Sequence, residues 1–301
     1  MKIFLTGSTG FLGYHIANDA IARGHEILSL KRATSRSLFD PAIEKRVKWV
    51  EINKNGWEEA VKDFQPDLFI HSAWGGVTAA DRNNKEVQSE NVRFFSHLLN
   101  LYPYKRIIGL GSQDEYGHYN GCIEENHPIN PISEYGKAKN ECRLLLEDYP
   151  QSHLCEWQWI RIFSVYGEKQ RSDWLIPTII SKCLNGEIVM QTTKGEQVYS
   201  YLFALDFANA IMSIIGKENC SGIYNLASSV PVVLSDLFDA IKEITKSNIE
   251  FSKTLPYREG QSMVMLGNSS KFISTFGEFE RTGLKEGLQR LIINTKKDES
   301  I

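Results

Sequence analysis

The sequence predicts an α/β fold with a doubly wound parallel sheet, on two observations. Apolar strand-like segments and amphipathic helix-like segments alternate through the first half of the chain, which is the pattern of a parallel sheet covered on both faces by helices. The first of those strands, residues 3–6, runs into Gly7-Ser8-Thr9-Gly10-Phe11-Leu12-Gly13, and a helical pattern opens at Tyr14-His15-Ile16-Ala17. Strand, glycine turn and helix in that order form a Rossmann-type fingerprint. Glycine permits the tight turn, the close approach of main chain to a pyrophosphate, and the packing of helix on strand. Free N–H groups and the positive dipole end at the helix start suit phosphates.

The elements follow in order. Residues 3–6 are the first strand, and residues 14–23 a helix stopped by Gly24. Residues 26–30 and 47–52 are the second and third strands, followed by a short helix near 57–64. Residues 67–72 are the fourth strand, 87–101 a long helix, and 105–111 the fifth strand. Residues 133–149 form another helix and 157–163 the sixth strand, with right-handed crossovers. Near Gly167 the rhythm breaks. Residues 177–184 read as a helix, 186–191 and 199–203 as strands, and 205–215 as a helix. Residues 222–226 read as a buried strand, and 234–245 as a helix with Leu234, Leu237, Phe238, Ile241 and Ile244 on one face. The expectation is a dinucleotide-binding domain over residues 1–166 and a smaller C-terminal mixed α/β substrate lobe over 167–301, with chain crossings between them. The crevice belongs at the carboxyl ends of the strands.

Bulk properties exclude several classes. A formal net charge of −3 over 301 residues leaves no footprint for nucleic acid or a membrane surface. No apolar stretch approaches the ~18 residues of a membrane span. Five scattered cysteines, Cys122, Cys142, Cys155, Cys183 and Cys220, have neither metal-ligand spacing nor a disulfide framework, so a reducing cytoplasmic setting and no metal are expected. The N-terminus runs straight into the glycine turn without a signal pattern. The polar stretch 294–300 reads as a frayed terminus.

The chemistry lies further along. Tyr135 and Lys139 are four residues apart, a separation that shares one helix face. An ammonium beside a phenol favours the phenolate, and a tyrosine so tuned can act as general acid or base. Upstream, the apolar strand Ile107–Gly111 ends in Ser112-Gln113-Asp114-Glu115-Tyr116-Gly117. A hydroxyl there faces the crevice, so Ser112 is placed to polarise a carbonyl that Tyr135 protonates.

With these residues in that order the chain resembles the extended short-chain dehydrogenase/reductase family. Within it, the likeness is to the branch of nucleotide-sugar epimerases, dehydratases and 4-ketoreductases. The likeness runs from residue 1 to about 290. It rests on Gly7-x-x-Gly10-x-x-Gly13, Ile70-His71-Ser72-Ala73, Asn91, the Gly111–Gly117 stretch, Tyr135-x-x-x-Lys139 and Arg161-Ile162-Phe163-Ser164-Val165-Tyr166-Gly167. Leu205-Asp206-Phe207-Ala208 and the stretch from Arg258-Glu259-Gly260 to Gly287 complete it. The resemblance implies that Tyr135 is the proton donor or acceptor. It implies that Lys139 holds the nicotinamide ribose and depresses the Tyr135 pKa, and that Ser112 binds the reacting oxygen. It further implies cofactor contacts from Gly7, Thr9, Gly10, Phe11, Leu12, Gly13, His71, Ala73 and Ile162. A homodimer is also implied, through a seam of the helices at 87–101 and 133–149.

Cofactor and reaction follow from departures. The second strand settles on Ser29-Leu30-Lys31-Arg32, with Arg36 after it, and no acid occurs between Ile27 and Leu38. An acid there suits the ribose 2′-hydroxyl of NAD, whereas basic residues suit a 2′-phosphate. The expectation is NADP, with NAD the alternative and solvated loop charges the plain reading. Family dehydratases place Asp-Glu directly after the catalytic hydroxyl, whereas here Gln113 intervenes, and an amide is no general acid. The Ser-Gln form looks like reductases of nucleotide-linked 4-keto-6-deoxy sugars, such as those making abequose or fucose precursors. The expected activity is that NADPH-dependent reduction. A NAD-dependent 4-epimerase is the alternative, and a catalytically silent dinucleotide-binding regulator a second one. For the nucleotide sugar, the candidates are Trp74, Ser112, Gln113, Ser164 and Arg258. Arg258 either meets the diphosphate or is a surface arginine. Trp74 either floors the sugar pocket or sits in the core. Tyr199 stands where the family usually has a diphosphate-binding arginine.

Overall fold

A computed structural model of the chain describes residues 1–151 and 154–298. The first half runs β1 (Lys2–Thr6), α1 (Phe11–Ala22), β2 (Glu26–Lys31), α2 (Pro41–Glu44), β3 (Val47–Glu51), α3 (Trp57–Phe64), β4 (Leu68–His71), α4 (Lys85–Leu99) and β5 (Arg106–Ser112). A 3₁₀ turn (Gln113–Tyr116) leads to β6 (Gly121–Ile123), α5 (Glu134–Asp148), β7 (Glu156–Ile162) and β8 (Ser164–Tyr166). Then come α6 (Leu175–Leu184), β9 (Val189–Met190), β10 (Val198–Phe203), α7 (Ala204–Ile215), β11 (Gly222–Leu226) and β12 (Pro231–Val233). The chain continues with α8 (Leu234–Thr245), β13 (Glu250–Phe251), β14 (Val264–Gly267), α9 (Ser270–Phe276) and α10 (Leu284–Asp298).

Seven strands form one parallel sheet in the order β11-β7-β5-β4-β1-β2-β3. The doubly wound Rossmann-like architecture expected from the alternation is therefore present. The strands carry near-continuous apolar runs because both faces are covered. One face packs Ile3, Leu5, Ile108 and Ile160 with residues of α1 and α7. The other packs Phe4, Phe69, Ile107 and Trp159 with residues of α3, α4 and α5. The winding reverses between β1 and β4, and a ligand crevice belongs outside the carboxyl ends of the strands there.

A second sheet, β12-β10-β14-β6 with β8 on β10, stands beside the first. The chain passes between the sheets: β6 from the first half joins β14, and β11 from the second half pairs with β7 in register from Gly222↔Gln158 to Leu226↔Ile162. The strand at 222–226, read as belonging to the smaller lobe, is thus the edge of the main sheet. The strand expected over 186–191 shrinks to Val189–Met190, paired with Glu250–Phe251. The tail is corrected too, for α10 continues helical to Asp298 because Leu288, Leu291 and Ile292 anchor its apolar face. The short helix α2 had no clear sequence signal, being a single turn begun by Pro41.

Trp159, fully buried on β7, packs over Gly109 of β5, where an added Cβ would lie 2.5 Å from the indole. Overpacking of this kind costs about 1–3 kcal/mol, so Gly109→Ala is expected to lower the unfolding free energy by that amount, readable as a lowered urea midpoint. An unchanged midpoint contradicts the packing described.

Candidate active site

Gly7 stands at φ +83°, and a Cβ there would lie 2.6 Å from the Ala73 nitrogen. Main chain leaving β1 therefore touches main chain leaving β4, which only glycine allows. A Cβ on Gly13 would lie 2.1 Å from the Gly7 carbonyl oxygen, so that position also excludes a side chain. Gly10 precedes α1 and offers no side-chain cap to the first amides. It is exposed, with Thr9, Phe11 and Leu12 half-buried around it. Uncapped amides at a 12-residue helix, beside main chain bare of Cβ atoms, fit the pyrophosphate of a dinucleotide. Lys31 ends β2 with its Nζ 5.2 Å from the Trp49 ring centroid. Arg32 and Arg36 are exposed, and among the described residues neither is in an ion pair.

His71 departs from expectation. Its imidazole is buried, with Nδ1 2.9 Å from Thr6 Oγ1 and the ring centroid 4.7 Å from that of Phe95. Burial lowers its pKa to about 3, so it is neutral. The side chain is committed to the core rather than to a coenzyme groove. Its effect there passes through Thr6, whose Oγ1 accepts the Ala73 N–H at 3.3 Å. Ile162 is also buried, beside Ser112 in the β5–β7 register.

Ser112 ends β5 and caps the 3₁₀ turn. Its Oγ accepts the Asp114 N–H (3.2 Å), and its own N–H donates to Glu115 Oε1 (2.8 Å). Tyr135 lies in the first turn of α5, whose cap Ser133 accepts the Gly136 N–H at 3.0 Å. The Ser112 side chain is near enough to the Tyr135 phenol to favour its ionised form. Lys139, one turn on, is buried; its Nζ donates to the Leu110 carbonyl (2.7 Å) and lies 3.7 Å from the Trp74 ring centroid. The three catalytic candidates are thus brought together.

The electrostatics differ from the sequence reading. The Tyr135 pKa is pushed up to about 12, by burial first and by Asp114 second. The influences that lower it are the Ser112 hydroxyl and the Arg82 guanidinium. Lys139 is 5.7 Å from the Tyr135 ring centroid, and burial draws its own pKa down to about 8. Lys139 is not among the main influences on the phenol: its ammonium is held by Leu110 and Trp74.

Both acids after Gln113 are committed. The Glu115 carboxylate is fully buried; it takes Arg161 Nε at 2.8 Å, Trp159 Nε1 at 2.9 Å and the Ser112 N–H. Asp114 pairs with Arg82 and accepts from Ser133 Oγ at 3.2 Å. Gln113 Oε1 is buried with no partner among the described residues. Trp74 is half-buried, its Nε1 donating to Gln88 Oε1 (2.9 Å) and its ring edge-to-face with Tyr135 at 5.8 Å. It is a neighbour of both catalytic candidates, which its position after β4 did not reveal. Ser164 begins β8, half-buried. Arg258 is exposed, on a loop fixed by Gln261 Nε2 donating to Tyr199 Oη at 3.0 Å and by Tyr257 Oη donating to Glu196 at 2.8 Å. Among the described residues there is no group of three His, Cys, Asp or Glu able to hold a metal, and no helix long and apolar enough to cross a membrane.

This fold is that of the extended short-chain dehydrogenase/reductases, NAD-dependent enzymes. Residues 3–227 match the NAD dependent epimerase/dehydratase family, and the chain belongs to it. It is 27% identical to the dTDP-6-deoxy-L-talose 4-dehydrogenase (NAD(+)) of Aggregatibacter actinomycetemcomitans, over 89% of this chain and 99% of that protein. It is 25% identical to the CDP-abequose synthase of Salmonella muenchen, over 97% of each. Among solved structures, the UDP-glucose 4-epimerase of Thermotoga maritima, crystallised with UDP-glucose, superposes with a TM-score of 0.89. That alignment is 22% identical and covers 99% of this chain and 100% of the other.

Two expected outcomes follow from this geometry. Glu115→Gln strands the buried Arg161 charge, and breaking a buried pair costs about 3–5 kcal/mol, readable as a lowered urea midpoint; wild-type stability would contradict it. His15 and His71 have folded pKa values of about 4 and 3 against an ordinary 6.5. Protonation therefore favours the unfolded chain, and stability is complete above 6.5 and declines as pH falls toward 4. The slope is about 1.4 kcal/mol per pH unit for each histidine. Denaturation at several pH values is expected to show the decline, with His15→Gln removing about half of the slope. A midpoint flat across that window contradicts it.

Proposed function

We propose that this chain catalyses the NADPH-dependent reduction of the 4-keto group of a nucleotide-linked 6-deoxy sugar. One observation carries the reading. The proton-handling groups at Ser112 are the serine hydroxyl and the Tyr135 phenol, while Glu115 is spent on Arg161 and Asp114 on Arg82 and Ser133. Elimination of water needs a free acid and base, and the residue beside Ser112 is an amide. That leaves oxidation and reduction at a carbon bearing oxygen.

The glycine turn and α1 hold the pyrophosphate, and Arg32 and Arg36 take a 2′-phosphate. Bound there, the coenzyme supplies hydride. Ser112 Oγ hydrogen-bonds the ketone oxygen, and Tyr135 Oη passes its proton to that oxygen. Lys139, whose ammonium lies against Trp74, would hold the ribose of the coenzyme. Gln113 and Ser164 meet sugar hydroxyls, and Arg258 meets the diphosphate, for which guanidinium geometry is suited. The name of the 4-dehydrogenase relative supports the substrate class.

A second reading is a 4-epimerase with tightly held NAD, favoured by the structural likeness to an epimerase. The two separate cleanly. A reductase consumes one NADPH per sugar, seen as loss of absorbance, whereas an epimerase interconverts two nucleotide sugars without added coenzyme. In either case Tyr135→Phe is expected to lower kcat by about 10²–10⁴, with coenzyme affinity changed only a few-fold. Full turnover by that variant would remove the proton-donor assignment.

A further inference from the structure

The motif pairs a lysine with the phenol, but the guanidinium carbon of Arg82 lies closer, 4.5 Å from the Tyr135 ring centroid against 5.7 Å for Lys139 Nζ. Arg82 is in the connection between β4 and α4, which is bound to the start of α5 by main chain as well. The Tyr135 N–H donates to the Arg82 carbonyl (2.9 Å), and the Glu134 N–H to Asn83 Oδ1 (3.3 Å). Arg82 Nη2 pairs with Asp114 Oδ2, and that oxygen also accepts from Ser133 Oγ, the cap of α5. The connection itself is pinned by Arg82 N–H to the Thr78 carbonyl (3.0 Å), Thr78 Oγ1 to Asp81 (2.8 Å) and Gln88 Nε2 to the Asp81 carbonyl (3.2 Å). The Arg82 side chain is 35% exposed, so its charge is held without full burial.

We propose that Arg82 is a positioning residue for Tyr135: it clamps the ring through its guanidinium face, and its charge, balanced by Asp114, sets how readily the phenol releases its proton. The inference rests on the reading of Tyr135 as proton donor. A cation over an aromatic face favours the phenolate, and a nearby carboxylate opposes it. The charged groups around the phenol are Asp114 and Glu115 from the 3₁₀ turn, Arg82 from the β4–α4 connection and Lys139 from α5. Glu115 is offset by Arg161, and Lys139 is turned to Leu110 and Trp74. The adjustable pair is therefore Arg82 and Asp114, whose removal has opposite signs.

The test uses the full chain labelled with [13Cζ]tyrosine, the Tyr135 resonance being assigned by its loss in Tyr135→Phe. The fraction ionised is read at about pH 11, below the raised pKa. Asp114→Asn is expected to raise that fraction about threefold and Arg82→Gln to lower it about threefold, with Arg82→Lys close to wild type. A role that is only structural does not produce shifts of opposite sign. Overlapping titrations in all four proteins, or shifts of the same sign, overturn the proposal. Should Arg82→Gln fail to fold, Arg82→Met replaces it, with the same lowered fraction expected and an unchanged fraction overturning the proposal. The readout needs no substrate, so a chain that reduces no nucleotide sugar yet shows this ordering loses the activity and keeps the clamp.

Discussion

The Glu115–Arg161 pair is buried at the carboxyl ends of the central strands, where two charges have lost nearly all contact with water. Such burial is costly unless every lone pair and proton finds a partner. Here the carboxylate accepts from Arg161 Nε, Trp159 Nε1 and the Ser112 N–H, while Arg161 Nη1 donates to Tyr116 Oη and Tyr116 Oη donates to Asn225 Oδ1 at 2.6 Å. The network closes because Gly111 has no side chain, a Cβ there lying 2.3 Å from Trp159 Nε1 and 2.5 Å from Glu115 Oε1. Glu115 thus joins β5 to β7, and Tyr116 extends the network to β11, at the edge that faces the crevice. Glu115 also fixes the main chain of Ser112, and with it the direction of the hydroxyl that meets Tyr135.

Around that anchor the site is assembled from residues far apart in the chain. A parallel sheet delivers all its carboxyl ends to one edge, so Gly7, Ala73, Ser112 and Ile162 arrive together from β1, β4, β5 and β7. Each turn is then held by a specific partner. Asn91 of α4 accepts the Gly75 N–H at 2.8 Å and donates to the Gly75 carbonyl at 3.0 Å, fixing the turn after β4. Gly136 lets α5 approach the Asp114 carbonyl, since a Cβ would lie 2.5 Å from that oxygen. Tyr135 is therefore located by the turn after β5 as well as by its own helix. Distant Asp206 has a purely architectural part, accepting the Thr282 N–H at 2.8 Å.

What could be read from the chain alone was what local spacing encodes. The glycine turn, the strand ending at Ser112, and Tyr135 with Lys139 are short patterns whose geometry is set by strand and helix periods. The edge position of β11 was hidden because an apolar run reports burial but not which neighbour it pairs with. The helical tail was hidden because its polar residues mask the few apolar positions that anchor α10 to the second core. Lys139 over Trp74 and Arg82 over Tyr135 left no trace at all. Both are contacts between a helix and the β4–α4 connection, made by side chains whose meeting depends on tertiary packing. The guanidinium beside the phenol is therefore visible only in the folded chain.

That placement bears on the direction of proton flow. With burial and Asp114 holding the phenol near 12, Tyr135 is protonated throughout the neutral range. A protonated phenol beside the Ser112 hydroxyl is prepared to give a proton to a carbonyl oxygen, which is the reductive direction. Accepting a proton from an alcohol requires the phenolate, and the Arg82 guanidinium and the Ser112 hydroxyl are the groups that make the phenolate reachable. The neighbouring acids add nothing as proton carriers, because each is neutralised by an arginine and hydrogen-bonded into the scaffold. On the proposed reading, the site couples one proton donor to a rigid floor of ion pairs, an arrangement suited to chemistry at a single oxygen-bearing carbon and poorly suited to the elimination of water.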